Sequence, residues 1–157
     1  MAIEDAFADV PYPGNDNIAV TGPREDFLSA EELTKAFKGK SWKQIVQKKN
    51  SWLRSRYWAL THFTPSAYHF FLPAFLTKCV TDAGDLDLVP LWVVCGFIPP
   101  KSEHVKALMP FYLARKAKFN LNQRKTLIVF LKFLRDKFSN DDGFIENINQ
   151  AISALKK

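Results

Sequence analysis

Residues 63–76 read FTPSAYHFFLPAFL, and the fold turns on this stretch. Thr64 is suited to cap a helix whose first turn holds Pro65, a position where a missing N–H costs nothing. Beyond it, Ala67, Tyr68, Phe70, Phe71, Leu72, Ala74, Phe75 and Leu76 leave only Ser66 and His69 as clearly polar positions. A helix without a wide solvated face belongs in the middle of a core. Pro73 lies inside it and removes the bond to the His69 carbonyl, a conflict of roughly 3 kcal/mol in an ordinary helix. The surrounding fold has to offset that conflict.

Outward from this centre the pattern stays helical. Residues 2–8 suit a short helix, followed by a loop punctuated by Pro11, Pro13 and Gly14. Ser29 with Glu32 reads as a capping box before Leu33, Ala36 and Phe37, and Gly39 ends that helix. A second short helix is expected from Ser41, with Trp42, Ile45 and Val46 on one side. Residues 52–62 are expected to run as helix up to the break at Thr64-Pro65. DAGDLD, residues 82–87, is a turn-rich connection. Leu88 to Ile98 is a short apolar run whose periodicity does not separate helix from strand; helix is the expectation, from its neighbours. Val105, Leu108, Met109 and Tyr112 mark a further helix within 102–118. Asn120 with Gln123 forms another capping box, and Leu127, Phe130, Leu131 and Leu134 make the buried stripe opposite Lys125, Lys132 and Arg135. Asp141 or Asp142 suits the cap of a last helix bearing Phe144, Ile145, Ile148, Ile152 and Leu155. The expected fold class is all-α: one domain over residues 1–157, an irregular helical bundle around the proline-containing helix.

At 157 residues such a chain folds without staples. Cys79 and Cys95 sit in apolar surroundings without a CxxC pair and read as small packing residues, which suits a reducing compartment. The N-terminus lacks a basic start followed by an apolar run, and no apolar stretch is long and unbroken enough to span a bilayer. The expectation is a soluble cytoplasmic protein.

The net charge of +6 conceals a segregation along the chain. Residues 1–37 carry eight acidic groups against Arg24 and Lys35. Residues 38–57 carry seven basic groups (Lys38, Lys40, Lys43, Lys48, Lys49, Arg54, Arg56) and no acid. Residues 101–137 carry ten basic groups against Glu103 and Asp136. Two basic runs form one patch only if they meet in space.

Residue patterns for catalysis are missing. His62, His69 and His104 have no partner at zinc-ligand spacing, and there is no GxSxG, P-loop or GxGxxG signature. His69 suits a hydrogen-bonded core position better than a ligand, and Glu31-Glu32 and Asp85/Asp87 suit caps and turns better than acid–base chemistry. No cofactor or metal is implied. The segment from Trp52 to Trp58 (WLRSRYW) interleaves rings with Arg54 and Arg56. Core packing is its first reading. A protein interface, where Arg, Trp and Tyr are enriched, is the second, and base stacking with phosphate contacts is the third.

Ile3-Glu-Asp-Ala-Phe7, Val10-Pro11-Tyr12-Pro13, Phe37-Lys38-Gly39, Trp42, the stretch from Leu60 to Leu76, and a helix from Gln123-Arg124 through Phe130-Leu131 together form a pattern. In these features the chain resembles a small bacterial domain family known as a domain of unknown function. The resemblance spans most of residues 3–134 and implies no activity or catalytic residue. By analogy of class it implies a cytoplasmic immunity protein that neutralises a secreted bacterial toxin. The leading expectation is therefore a non-enzymatic domain that binds a protein with an acidic surface through Trp52, Arg54, Arg56, Tyr57, Arg115, Lys116, Lys118 and Arg124. A basic nucleic-acid-binding module is the alternative, and an enzyme around His69 and Tyr68 a third reading.

Overall fold

The central helix begins where Thr64 and Pro65 put it. In the computed structural model, which describes residues 3–20, 27–101 and 108–157, the Thr64 hydroxyl accepts from the Ala67 N–H at 3.1 Å. From there α6 runs unbroken from Pro65 to Asp82, through Pro73. Ten α-helices make up the described residues: α1 (Ile3–Phe7), α2 (Phe27–Phe37), α3 (Trp42–Val46), α4 (Asn50–Arg54), α5 (Ala59–His62), α6 (Pro65–Asp82), α7 (Val89–Cys95), α8 (Met109–Lys116), α9 (Leu121–Lys137) and α10 (Asp142–Lys156). The fold class is all-α, and among the described residues no helix is long and apolar enough to cross a membrane.

Helix α6 is enclosed because its neighbours surround it: α1, α3, α7, α8 and α9 all pack on it, while α10 packs on α9 and α7. Ala67, Tyr68, every residue from Phe70 to Leu76, and Cys79 are buried. Residues 69 and 71 point about 200° apart on a helix with 3.6 residues per turn, and the core divides accordingly. On one flank Phe71 meets Phe37 and Phe63, with ring centroids 5.0 and 5.4 Å away. On the other, His69 meets Phe7 and Phe119 at 5.9 and 5.4 Å.

The capping box expected from Asn120 is formed with Gln123, Ser41 starts α3 as expected and forms a second box with Gln44 that the sequence reading did not name, and Asp141 caps α10 by accepting from the Phe144 N–H. Gly39 ends the α2 segment with φ +68°, a conformation that glycine adopts without steric cost. Residues 88–98 are helical where α7 runs. Two expectations need correction. Helix α2 starts at Phe27, so Ser29 lies within it and is not its cap. Residues 52–62 do not run as one helix: α4 ends at Arg54 and α5 starts at Ala59, with turns between. The Ser55 hydroxyl donates to the Trp52 carbonyl at 3.0 Å, offering that carbonyl a local partner outside the helical ladder. Val105, His104 and Glu103 lie outside the described residues.

The N-terminal segment is tied to the start of α6 by an isolated antiparallel bridge between Ala19 and Phe63. Val20 N–H donates to the His62 carbonyl at 2.8 Å, Thr64 N–H to the Ile18 carbonyl at 3.0 Å, and the Thr64 hydroxyl to the Asn17 carbonyl at 2.8 Å. Nothing in the sequence pattern pointed to this strap.

Candidate functional site

The first basic run, residues 38–57, is folded as α3, α4 and their connections, and it borders two adjoining clefts. The first, of about 370 Å³, is lined by Glu32, Lys35, Ala36, Lys40, Lys48, Trp52 and Arg56. Four cations of the described residues there face one carboxylate. Among the described residues Lys35, Lys40 and Lys48 make no ion pair. The second, of about 500 Å³, shares Lys48 and adds Lys49, Asn50, Arg54, Lys78, Asp82 and Asp85.

In the second cleft both carboxylates are already engaged, while Lys48 and Lys49 make no ion pair among the described residues. Arg54 pairs with Asp85 at 3.0 Å, the Asn50 amide donates to Asp85 at 2.9 Å, and Lys78 donates to the Asn50 oxygen at 2.9 Å and sits 3.5 Å from Asp82. The Thr81 hydroxyl donates to Asp82 at 2.9 Å, and this bond, followed by nearby Lys78, holds the Asp82 carboxyl below its ordinary range. Arg54, expected as a contact residue, is thus engaged in linking α4 to the 3-10 turn, Ala83–Asp85, that follows α6.

The first cleft is different, because Arg56 is incompletely matched. Its Nη1 donates to the Trp52 carbonyl at 3.2 Å and to the Ser55 hydroxyl at 2.9 Å. Its other edge is not satisfied: Nε is buried without an acceptor, and Glu32 lies 3.6 Å from Nη2, an ionic contact beyond hydrogen-bond range. The guanidinium also covers a face of Trp52, 4.6 Å from the ring centroid, and Phe37 packs against the same ring at 5.3 Å. Trp52 is half-buried between them. Tyr57 leans on Trp92 at 5.4 Å, and Trp58 meets His62 edge-on at 5.4 Å. The aromatic residues of WLRSRYW therefore diverge and do not form a stacking platform.

Residues of the second basic run lie elsewhere. Lys118 is close enough to His69 to act on its charge, and the Arg124 Nε donates to the Phe119 carbonyl at 3.2 Å, so both belong to the His69 flank of α6, opposite Phe71 and Trp52. The two runs do not merge around Trp52. Lys116 is partly exposed on the last turn of α8.

Arg115 requires a correction. It was expected on a binding surface, but it is 8 % exposed, its Nη2 donates to the Phe63 carbonyl at 2.8 Å, and its guanidinium lies 4.4 and 4.2 Å from the ring centroids of Tyr68 and Phe111. Burial pushes the Tyr68 phenol up to about 12 and pulls Arg115 down to about 10, so at neutral pH a cation rests on an uncharged phenol. Its charge is spent inside the protein. Tyr68, the other half of the enzyme reading, has a buried hydroxyl without a partner.

His69 is hydrogen-bonded, as the sequence suggested, but half-buried at the margin of the core rather than inside it. The Gln123 oxygen accepts from the Asn120 N–H at 3.1 Å, so His69 Nε2, 2.9 Å away, meets it as a donor; the Gln123 amide in turn donates to the Ala6 carbonyl at 3.1 Å. This chain joins α1, α6 and α9. Burial lowers the histidine's pKa despite the Gln123 bond. His62 holds a local contact with the Trp58 carbonyl at 3.0 Å. Among the described residues no group of three or more His, Cys, Asp and Glu is arranged to hold a metal. Cys79 is buried and its thiol pushed up by that burial, while Cys95 is exposed.

Lys35, Lys40 and Lys48, which line the first cleft, were not singled out from the sequence. The acid-free run containing Lys40 and Lys48 was the available signal, but Lys35 joins them only through the packing of α2 beside α4. A protein-family model matches residues 1–156, and the family is described as one of unknown function. No curated protein and no solved structure matches the chain.

Proposed function

We propose that this chain, which belongs to the family of unknown function DUF6714, is a non-enzymatic protein-binding domain acting as a cytoplasmic immunity protein, one that neutralises a secreted bacterial toxin by covering an acidic surface on it. The observation carrying this reading is the first cleft: Lys35, Lys40, Lys48 and Arg56 converge on half-buried Trp52, with Glu32 the one carboxylate among the described residues that line it. Cations gathered around an aromatic anchor favour a negatively charged protein partner, whose encounter they accelerate. His69, Tyr68 and Cys79 have structural surroundings, which supports a binding role over catalysis.

Coexpression tests this directly. The domain should rescue cells from the product of a neighbouring effector gene and copurify with it, and charge reversal at Lys48 should weaken the complex while circular dichroism remains unchanged. Absence of binding to any neighbouring gene product refutes the role. The competing nucleic-acid reading predicts tight oligonucleotide binding at physiological salt, with affinity falling steeply as salt rises. Here the covered face of Trp52 predicts only weak, salt-sensitive association.

A further inference from the structure

Arginine recognises carboxylates best side-on, through two parallel N–H groups. In Arg56 the Nη1 end is already used, and the Nε–Nη2 edge is the part left without a hydrogen-bonded acceptor. Glu32 approaches that edge but stops at 3.6 Å, and its own side chain is 57 % exposed. It is a loosely held carboxylate over an unfilled fork. Lys35, Lys40 and Lys48 around the same cleft leave positive charge that Glu32 alone does not balance. The volume, about 370 Å³, lies at the small end of ligand clefts and suits one or two side chains rather than a folded surface.

We infer that this cleft between α2 and α4 is a carboxylate-exchange seat: an acidic side chain of the partner protein docks on Arg56 and displaces Glu32, which holds the place in the free state. The inference rests on the protein-binding reading and specifies its chemistry. The incoming carboxylate takes the Nε–Nη2 edge as Glu32 swings outward, and the three lysines hold the remaining acidic groups of the partner segment. A base has no such place, since Arg56 and Phe37 already pack on the Trp52 ring.

The test uses the full chain labelled with ¹⁵N and follows the indole N–H of Trp52, assigned with Trp52→Phe. The probe is a capped peptide with four glutamates around a central leucine; its glutamine counterpart and an oligothymidylate are the comparisons. The glutamate peptide should move the Trp52 resonance and the glutamine peptide should not. Glu32→Gln should tighten binding by about two- to fivefold, the range of an exposed ion pair, because the occupant no longer competes. Lys48→Glu should weaken it by about fivefold or more, and Lys118→Glu should leave it unchanged. The inference is overturned if Glu32→Gln weakens binding or leaves it unaltered, if the oligothymidylate moves the same resonance with equal or greater affinity, or if the shifts gather around Lys118 and Arg124. A toxin that copurifies without perturbing this cleft also overturns it while leaving the immunity role intact; peptide exchange at the cleft without any copurifying toxin does the reverse.

Discussion

Replacing Arg115 with alanine separates a buried structural cation from a surface contact. The Phe63 carbonyl, in a fully buried residue, receives its hydrogen bond from the Arg115 Nη2 at 2.8 Å. Losing a charged donor to a buried acceptor costs about 1.5 to 3 kcal/mol, and stacking on Tyr68 and Phe111 contributes about 1 to 2 kcal/mol where the cation is desolvated. Against this stands relief from burying the charge, which drew the guanidinium down to about 10. The net expectation is a loss of about 2 to 4 kcal/mol. For a domain of this size each kcal/mol lowers Tm by about 2 to 4 °C, so the drop should be roughly 4 to 16 °C. Chemical denaturation followed by circular dichroism measures it, with Lys118→Ala as a surface control expected within about 0.5 kcal/mol. Arg115→Met, which keeps the apolar stem, should recover part of the loss. If Arg115→Ala matches the surface control, the guanidinium is not held in the core and the account of α8 packing on α6 is wrong.

Other perturbations test separate parts of the fold. In Gly96→Ala the new Cβ would meet the Tyr68 hydroxyl at 2.5 Å, so stability should fall by about 1 to 3 kcal/mol, and Tyr68→Phe in the same chain should relieve most of that loss; additive effects in the double mutant would rule out the clash. His69 binds fewer protons folded than unfolded because burial lowers its pKa, so stability should be full above about pH 6.5 and fall as pH drops through that value. His69→Gln should flatten the fall, and urea midpoints at successive pH values would read it. Pro73→Ala should stabilise by about 1 kcal/mol, since gaining a helical N–H outweighs the lost ring burial and unfolded-state rigidity; a lowered denaturation midpoint would show that the ring's packing dominates. A thiol reagent should modify Cys95 in the native protein and reach Cys79 only after denaturant is added; rapid native reaction of both thiols would contradict the burial of α6.

The central helix was legible because Thr64, Pro65 and a nearly unbroken apolar run each impose a local rule pointing to the same answer. The helix start at Ser41 and the capping box at Asn120 were readable for the same reason. The break at 55–58 was less so, since WLRSRYW has no glycine or proline and the turn depends on where Trp52, Tyr57 and Trp58 find their separate partners. Arg115 looked like a surface charge because it sits among Lys116 and Lys118; only the position of Phe63, 52 residues earlier, turns it inward. The cleft depends in the same way on Lys35 from α2 meeting Lys48 and Arg56, a proximity no local rule encodes.

The bridge between Ala19 and Phe63 gives the segment carrying α2 to α5 the character of a closed ring. Its clasp, from Asn17 to Thr64, spans 47 residues, and closing a loop of that length costs roughly 3 kcal/mol in chain entropy. That cost is met once for the whole ring. Amide hydrogens of α2, α3, α4 and α5 should then exchange with solvent as one cooperative unit, protected together while the clasp holds and released together when it parts. Thr64, which begins the central helix, also fastens this ring, so a partner gripping α2 and α4 would slow amide exchange at the first turn of α6, which it never touches.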